Sequence, residues 1–135
     1  MEEFPKDKIK PIRGKLSGAN GDVSLEVELE PFEISIEGYS ENVDSSIRLD
    51  GINIPLKPAE MEGRAYDFPA NPEDGYIDGS IYLYAAHNPV DVTQIKFGSI
   101  KENKLPVKLI TNWVLEFENT GFKNFETEIE TNIEL

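Results

Sequence analysis

The feature that most constrains the fold is a strict alternation of apolar and polar residues, clearest in the stretch VSLEVELE. Every second side chain is apolar, and the positions between them hold glutamates and one serine. Successive side chains of a β-strand point to opposite faces, so one set would face a core and the other would face water. The same alternation recurs in FETEIETNIEL. It predicts strands, and no stretch shows a convincing helical period.

The alternation also predicts where strands bend or turn. After Pro31 the apolar positions shift by one residue, to Phe32, Ile34 and Ile36, so we expect a bulge in one long strand, with a tight turn as the alternative. Asp50-Gly51 lies between the runs SIRL and INIPL and predicts a two-residue hairpin turn.

The rest of the chain predicts further strands and one long connection. We expect strands at 75–86 and 91–100, joined by the turn HNPV. We also expect a hairpin with its turn at Asn119-Thr120-Gly121, in which one strand runs through Trp113 to Phe117 and the other begins at Phe125. The segment IKPIRGKL predicts an edge strand, since Pro11 donates no ladder hydrogen bond. Residues 57–75 predict the longest irregular connection, with room for a short helical turn.

Composition supports an all-β fold. Ile and Val together number 21 while Ala numbers 6, which favours pleated sheets over helices. The length of 135 residues suits one hydrophobic core. We therefore predict a single all-β domain over 1–135, an antiparallel β-sandwich or barrel of about eight strands.

The charge balance restricts the partners. The chain has 26 acids against 13 bases, a net charge of −13, which repels nucleic acid and anionic membranes and attracts basic proteins. Eight acids and no base lie between Lys15 and Arg48, and six acids lie in 109–135. The bases cluster at 6–15 and 96–108, which predicts either a lopsided charge distribution or basic edge strands.

The expected compartment is the cytoplasm. The chain has no cysteine, and its first residues, MEEFPKDKIKPIRG, carry charges and two prolines where a secretory signal would need an apolar stretch.

Motifs for catalysis and for metal binding are weak. His87 is the single histidine, and a trio of Ser80, His87 and Asp91 lacks a nucleophile elbow, so we interpret His87 as a turn residue that caps backbone groups. Asp74 and Asp78 lie near glycines but lack the EF-hand spacing for calcium. A glycosidase needs two carboxyl groups whose environments drive their pKa values apart. The glutamates of the predicted strands should point into water, where their pKa values would not be driven apart. We predict no enzymatic activity, no metal and no cofactor.

Aromatic residues suggest a second class of function. Tyr76, Tyr82 and Tyr84 could stack on sugar rings if they form an exposed row, as in carbohydrate-binding β-sandwich modules. Tyr82 and Tyr84 are predicted to share one strand face, whereas Trp113 is in phase with Leu115 and is expected in the core. Exposed tyrosines also anchor protein interfaces.

In size, charge and strand content, and in the runs VSLEVELE and FETEIETNIEL, the chain resembles the small acidic all-β immunity proteins of bacterial contact-dependent inhibition and polymorphic toxin systems. The resemblance implies a non-catalytic protein that neutralises a basic partner, such as a toxin nuclease domain, and whose gene follows that of the toxin. A carbohydrate- or small-ligand-binding module is the alternative. Partner-binding residues are predicted on the acidic strands, the 67–78 loop and the tyrosines: Glu26, Glu28, Glu30, Asp67, Glu73, Asp74, Asp78, Tyr82, Tyr84, Glu126, Glu128 and Glu130.

Overall fold

The computed structural model describes all residues, 1–135, and is an all-β structure. Its strands are β1 (Pro11–Ala19), β2 (Asp22–Leu29), β3 (Phe32–Ile36), β4 (Tyr39–Val43), β5 (Ser46–Ile52), β6 (Ala65–Asp67), β7 (Asp78–Leu83), β8 (Ala86–Phe97), β9 (Lys104–Trp113) and β10 (Phe125–Glu134). A 3-10 helix at Lys6–Lys8 precedes β1, and α1 (Pro58–Met61) supplies the short helical turn predicted within 57–75. No helix is long and apolar enough to cross a membrane.

The main sheet closes into a seven-stranded barrel, which decides between the predicted sandwich and barrel. Its order is β8-β7-β5-β2-β1-β10-β9, and β9 pairs back onto β8 to complete the ring. β6 is an extra strand that pairs with β8 beyond the end of β7, and β3 and β4 form a separate two-stranded sheet.

The prediction that the first strand is an edge was wrong. β1 lies between β2 and β10, and its pairing with β10, at Gly14 and Ile133, is parallel. The barrel is therefore mixed rather than purely antiparallel. Pro11 is tolerated because it is the first residue of β1 and lies beside a register shift between Pro11 and Arg13.

Two further predictions, at Asp50-Gly51 and at Pro31, were wrong. Asp50-Gly51 is not a hairpin turn but a bulge inside β5: Leu49 faces Leu25 while Ile52 faces Val23, and Gly51 has a positive φ of 71°. Pro31 is neither a bulge in one strand nor a hairpin turn. It separates β2 from β3, which belong to different sheets, and this explains the one-residue shift in the apolar positions.

Two predicted strand boundaries also moved. HNPV lies within β8, and the turn before it is at Tyr84-Ala85, two residues with positive φ of 49° and 59°. The antiparallel pairing of β9 with β10 is confirmed, but β9 ends at Trp113 and residues 114–124 form an irregular loop.

The core follows the predicted alternation. The apolar residues of VSLEVELE and of the segment after Pro31 are all buried, and Trp113 is fully buried. Phe4, from the N-terminal segment, packs at one end of the barrel against aromatic rings from β3, β9, β10 and the 114–124 loop, with centroids 5.2–6.1 Å away. The N-terminal segment thereby covers this end of the core.

Candidate functional site

The acidic strands β2 and β10 do not lie side by side in the barrel wall. β1 separates β2 from β10 and brings Arg13 and Lys15 between their glutamates. Along the barrel wall, the acidic strand β2 is followed by the basic β1, the acidic β10 and then β9, which carries Lys104 and Lys108. Charges that are segregated in the sequence are therefore interleaved in the wall, and like-charge repulsion between β2 and β10 is avoided.

Ion pairs neutralise part of the predicted binding surface. Glu28 contacts Lys15 at 2.6 Å and Arg13 at 3.3 Å, and Arg48 lies 3.8 Å from Glu26. The hydrogen bond between Lys15 and Glu28 lowers the pKa of Glu28 and raises that of Lys15. These carboxylates already have partners, so a basic protein would gain less from them.

A similar arrangement occurs on β10. Lys108 lies 3.4 Å from Glu128 and 3.5 Å from Glu130, and the negative charge of Glu128 is the main cause of its raised pKa. Lys108 and Glu130 border an open groove of about 650 Å³ on the outside of β8, β9 and β10. Lys96 also lines the groove, so its charged lining consists of two lysines and one glutamate and offers a basic protein no excess of negative charge.

The other predicted residues are spread over the surface. Glu30, Asp67, Glu73, Asp74, Asp78 and Glu126 are exposed. Asp67 accepts a hydrogen bond from Gln94 Nε2 at 2.9 Å. No group of three or more His, Asp or Glu side chains is arranged to hold a metal ion, and the two acids Asp74 and Asp78 are not part of such a group.

Ser80, His87 and Asp91 do not form a catalytic arrangement. Ser80 and His87 line one cavity, but Asp91 lies four residues beyond His87 on the same strand, about 13 Å along it at the usual rise per residue. That separation excludes a hydrogen bond between them. His87 is not a capping turn residue as predicted; it lies in β8 and packs edge-on against Tyr82, 5.1 Å between centroids.

The prediction that Tyr82 and Tyr84 share a strand face was wrong. Tyr82 is exposed on the barrel wall, where its cavity also contains Glu26 and Arg48. Tyr84 lies beyond the end of β7, in the turn, and packs against the core. Tyr76 is half-buried. The carbohydrate-binding alternative predicts an exposed row of tyrosine rings. Tyr84 cannot belong to such a row, because it packs against the core.

Three turns meet at the end of the barrel where β8 begins, and they enclose a cavity of about 310 Å³. They are the β3–β4 turn at Glu37-Gly38, the β7–β8 turn at Tyr84-Ala85, and residues 118–120. We call this space the turn cavity; its lining is Ile36, Glu37, Tyr39, Leu83, Tyr84, Ala86, Glu118, Asn119 and Thr120. Apolar and aromatic groups thus form the walls, and Glu37 and Glu118 supply the charge.

The turn cavity is held by hydrogen bonds between its turns. The backbone N–H of Tyr84 donates to Glu41 Oε2 at 2.7 Å, and the Tyr84 hydroxyl donates to the Tyr39 carbonyl at 3.2 Å. Asn88, fully buried beneath, donates to the carbonyls of Leu83 and Ala86 and thereby braces the strained turn.

The electrostatic environment of the turn cavity is negative. Burial, and then the charges of Glu41 and Glu2, raise the pKa of Tyr84. None of Glu2, Glu37, Glu41 and Glu118 has a basic partner within 4 Å, and no lysine or arginine lines the cavity. Tyr39 is 74% exposed at its mouth, and Phe117, next to Glu118 in the chain, is 69% exposed.

Of the residues predicted to bind a partner, only Tyr84 lines the turn cavity, and the sequence carries one further signal for this site. The stretch FEISIEGYSENV contains Glu37-Gly38 between two short runs, and both residues have positive φ, 48° and 84°, as in a type I′ hairpin turn. That hairpin places Tyr39 at the end of the barrel. The β7–β8 turn carries no glycine and had no comparable signal.

Comparisons of the chain with protein-family models, with curated proteins and with solved structures found no match.

Proposed function

We propose that this chain is a non-catalytic binding protein that neutralises a cationic toxin, such as a nuclease domain, by covering its basic surface with an acidic one. The net charge of −13 gives the long-range attraction. Of the 26 acids only five, Glu26, Glu28, Asp50, Glu128 and Glu130, lie within ion-pair distance of a base, so most of the negative charge is uncompensated.

The observation that carries the proposal is the environment of the turn cavity. Carboxylates without basic partners surround exposed aromatic rings there, and interfaces combine such anchors with complementary charge. The barrel wall is less suitable, because four of the six glutamates on β2 and β10 already pair with bases. These are Glu26, Glu28, Glu128 and Glu130, and their partners are Arg13, Lys15, Arg48 and Lys108. The proposed contact surface is therefore the end of the barrel and not the predicted strand faces.

The test uses the product of the gene immediately upstream in the source organism. Both proteins are coexpressed, the complex is purified, and association rates are measured at low and high ionic strength. Attraction by an acidic surface requires the rate to fall steeply as salt increases. A complex whose association is insensitive to salt, or failure of this chain to protect cells from that product, would count against the proposal.

A pair of charge reversals locates the contact. Glu118→Lys should slow association, whereas Glu102→Lys, which changes the net charge by the same amount, is the matched control. Glu102 is exposed in the turn between β8 and β9, at the opposite end of the barrel. Equal effects of both changes would show that only the net charge matters.

A further inference from the structure

We infer that the turn cavity receives an arginine side chain of the basic partner, with the guanidinium between Tyr39 and the carboxylates of Glu37 and Glu118. This inference rests on the proposed function and names the chemical group that the site recognises. It does not concern the ion-paired glutamates of the barrel wall.

The walls of the turn cavity suit the long apolar part of such a side chain. Ile36, Leu83 and Ala86 line the interior, and the volume of about 310 Å³ accommodates one large side chain with space for water. The occupant must therefore present methylene groups as well as a charge, which a bare metal ion or a small inorganic cation does not.

The charge of the cavity requires a cation. Glu37 and Glu118 belong to the lining, and Glu41 and Glu2 are close enough to Tyr84 to influence its ionisation. With no base in the lining, an anionic or neutral polar group would meet uncompensated negative charge, whereas a cation would be attracted.

The aromatic groups favour guanidinium over ammonium. A planar guanidinium stacks on a tyrosine ring while its N–H groups donate to carboxylates, and it is more weakly hydrated than an ammonium group. Tyr39 is exposed, so its ring is available without displacing another side chain. The carboxylates of Glu37 and Glu118, which belong to separate turns of the lining, offer acceptors for these N–H groups.

The first experiment uses defined probes in place of the partner. Three blocked tripeptides with arginine, lysine or citrulline at the centre are titrated into the protein labelled with ¹⁵N, and the backbone amides of Tyr84, Asn119 and Thr120 are followed by NMR. The arginine peptide should shift these amides. The citrulline peptide, which has nearly the same shape without the charge, should not. Tighter binding of the lysine peptide would overturn the choice of guanidinium.

Variants then assign the binding to the turn cavity. Tyr39→Ala and Glu118→Gln should each weaken arginine-peptide binding by about two- to fivefold, as expected for one exposed cation–π contact or one exposed ion pair. Both side chains are exposed, so the fold should persist. Tyr82→Ala and Glu126→Gln, an exposed tyrosine and glutamate on the barrel wall, are matched controls and should leave binding unchanged.

The same variants separate failure of this inference from failure of the proposed function. A partner that binds the wild type and Tyr39→Ala equally well would overturn the arginine site while the proposed function stands. Arginine-specific binding at the turn cavity, in a protein for which the upstream gene product is no partner, would support the site and overturn the toxin proposal. Equal effects of all three peptides would overturn the inference itself.

Discussion

Lys15 Nζ lies 2.6 Å from Glu28 Oε1, and this contact joins β1 to β2 on the outer wall of the barrel. Arg13 Nε approaches the other oxygen of Glu28 at 3.3 Å, so one carboxylate bridges two bases of the neighbouring strand. The contact explains how an acidic strand can lie in the wall of a protein with a net charge of −13.

The pH dependence of stability should reflect this pair. The lowered pKa of Glu28 means that its contribution is complete above its ordinary value of 4.5 and is lost as the pH falls through the folded-state pKa. The raised pKa of Lys15 means that its contribution is complete below pH 10.5 and is lost at higher pH.

Glu28→Gln should therefore lower the free energy of unfolding near neutral pH, and the difference from wild type should vanish in acid. Glu126→Gln, which removes an exposed glutamate without an ion pair, is the control for urea unfolding across pH. A pH-independent difference for Glu28→Gln would contradict this account.

Asp91→Asn should have the opposite effect. Burial raises the pKa of Asp91, against a hydrogen bond from the backbone of Asn71, so the ionised form costs stability above its ordinary value of 3.8. The amide keeps an oxygen acceptor and removes the charge. We expect a small gain near neutral pH, below about 1 kcal/mol because solvent still screens the group, and no gain below pH 3.8. Thermal unfolding at both pH values measures it, with Asp74→Asn in the exposed loop as control. A loss of stability at neutral pH would show that the carboxylate is needed.

Phe4→Ala should destabilise the barrel by about 3–5 kcal/mol, because it leaves a void among buried aromatic rings. Phe4 is 5% exposed and contacts Trp113, Phe122 and Phe125 with centroids 5.2–5.6 Å apart. Denaturant unfolding followed by tryptophan fluorescence is the measurement, since Trp113 reports on this region. Phe117→Ala removes an exposed ring and should change stability little. Equal effects of the two substitutions would show that the N-terminal segment does not close the core.

Gly79→Ala should destabilise the fold by about 3 kcal/mol or more, as in severe overpacking. A Cβ at this position would overlap the carbonyl oxygen of Val90 and press on Leu49, so β7 could not stay between β5 and β8. Circular dichroism and thermal unfolding detect the loss. The control is Gly38→Asn in the β3–β4 turn, where a Cβ meets nothing within 4 Å and asparagine tolerates the positive φ. A folded Gly79→Ala with wild-type stability would show that the strands can separate at this point.

Local patterning was sufficient for much of the fold. Alternation identified the buried faces of β2, β3 and β10, because that signal depends only on which side chains face the core. It was wrong for the run Trp113, Leu115 and Phe117, which leaves β9 after Trp113 and exposes Phe117. It also identified the pairing of β9 with β10, which are consecutive in the chain. It did not identify the partners of β1, because the contact of Gly14 with Ile133 joins opposite ends of the chain and leaves no local trace.

The candidate site was harder to predict for a physical reason. Glu28 and Glu128 stand out in the sequence because they alternate with core residues, yet their charges are balanced by bases from strands that only the fold brings near. Glu37 and Tyr39 are about 80 residues from Glu118 in the chain, and their proximity follows from the order of strands in space. The Asp50-Gly51 bulge shows the same limit, because a favourable turn dipeptide was overridden by the pairing of β5 with β2 and β7.

The pairing of β1 with β10 delays closure of the barrel during synthesis. The barrel cannot close until β10 has emerged from the ribosome, because β10 lies between β1 and β9. Until then β1 and β9 each have one edge with unpaired backbone groups. Closure then depends on a contact between distant parts of the chain, which slows folding to the millisecond-to-second range typical of such topologies. Ribosome-bound chains that end before Phe125 should consequently be more sensitive to protease than the released protein, and they are the forms most exposed to aggregation.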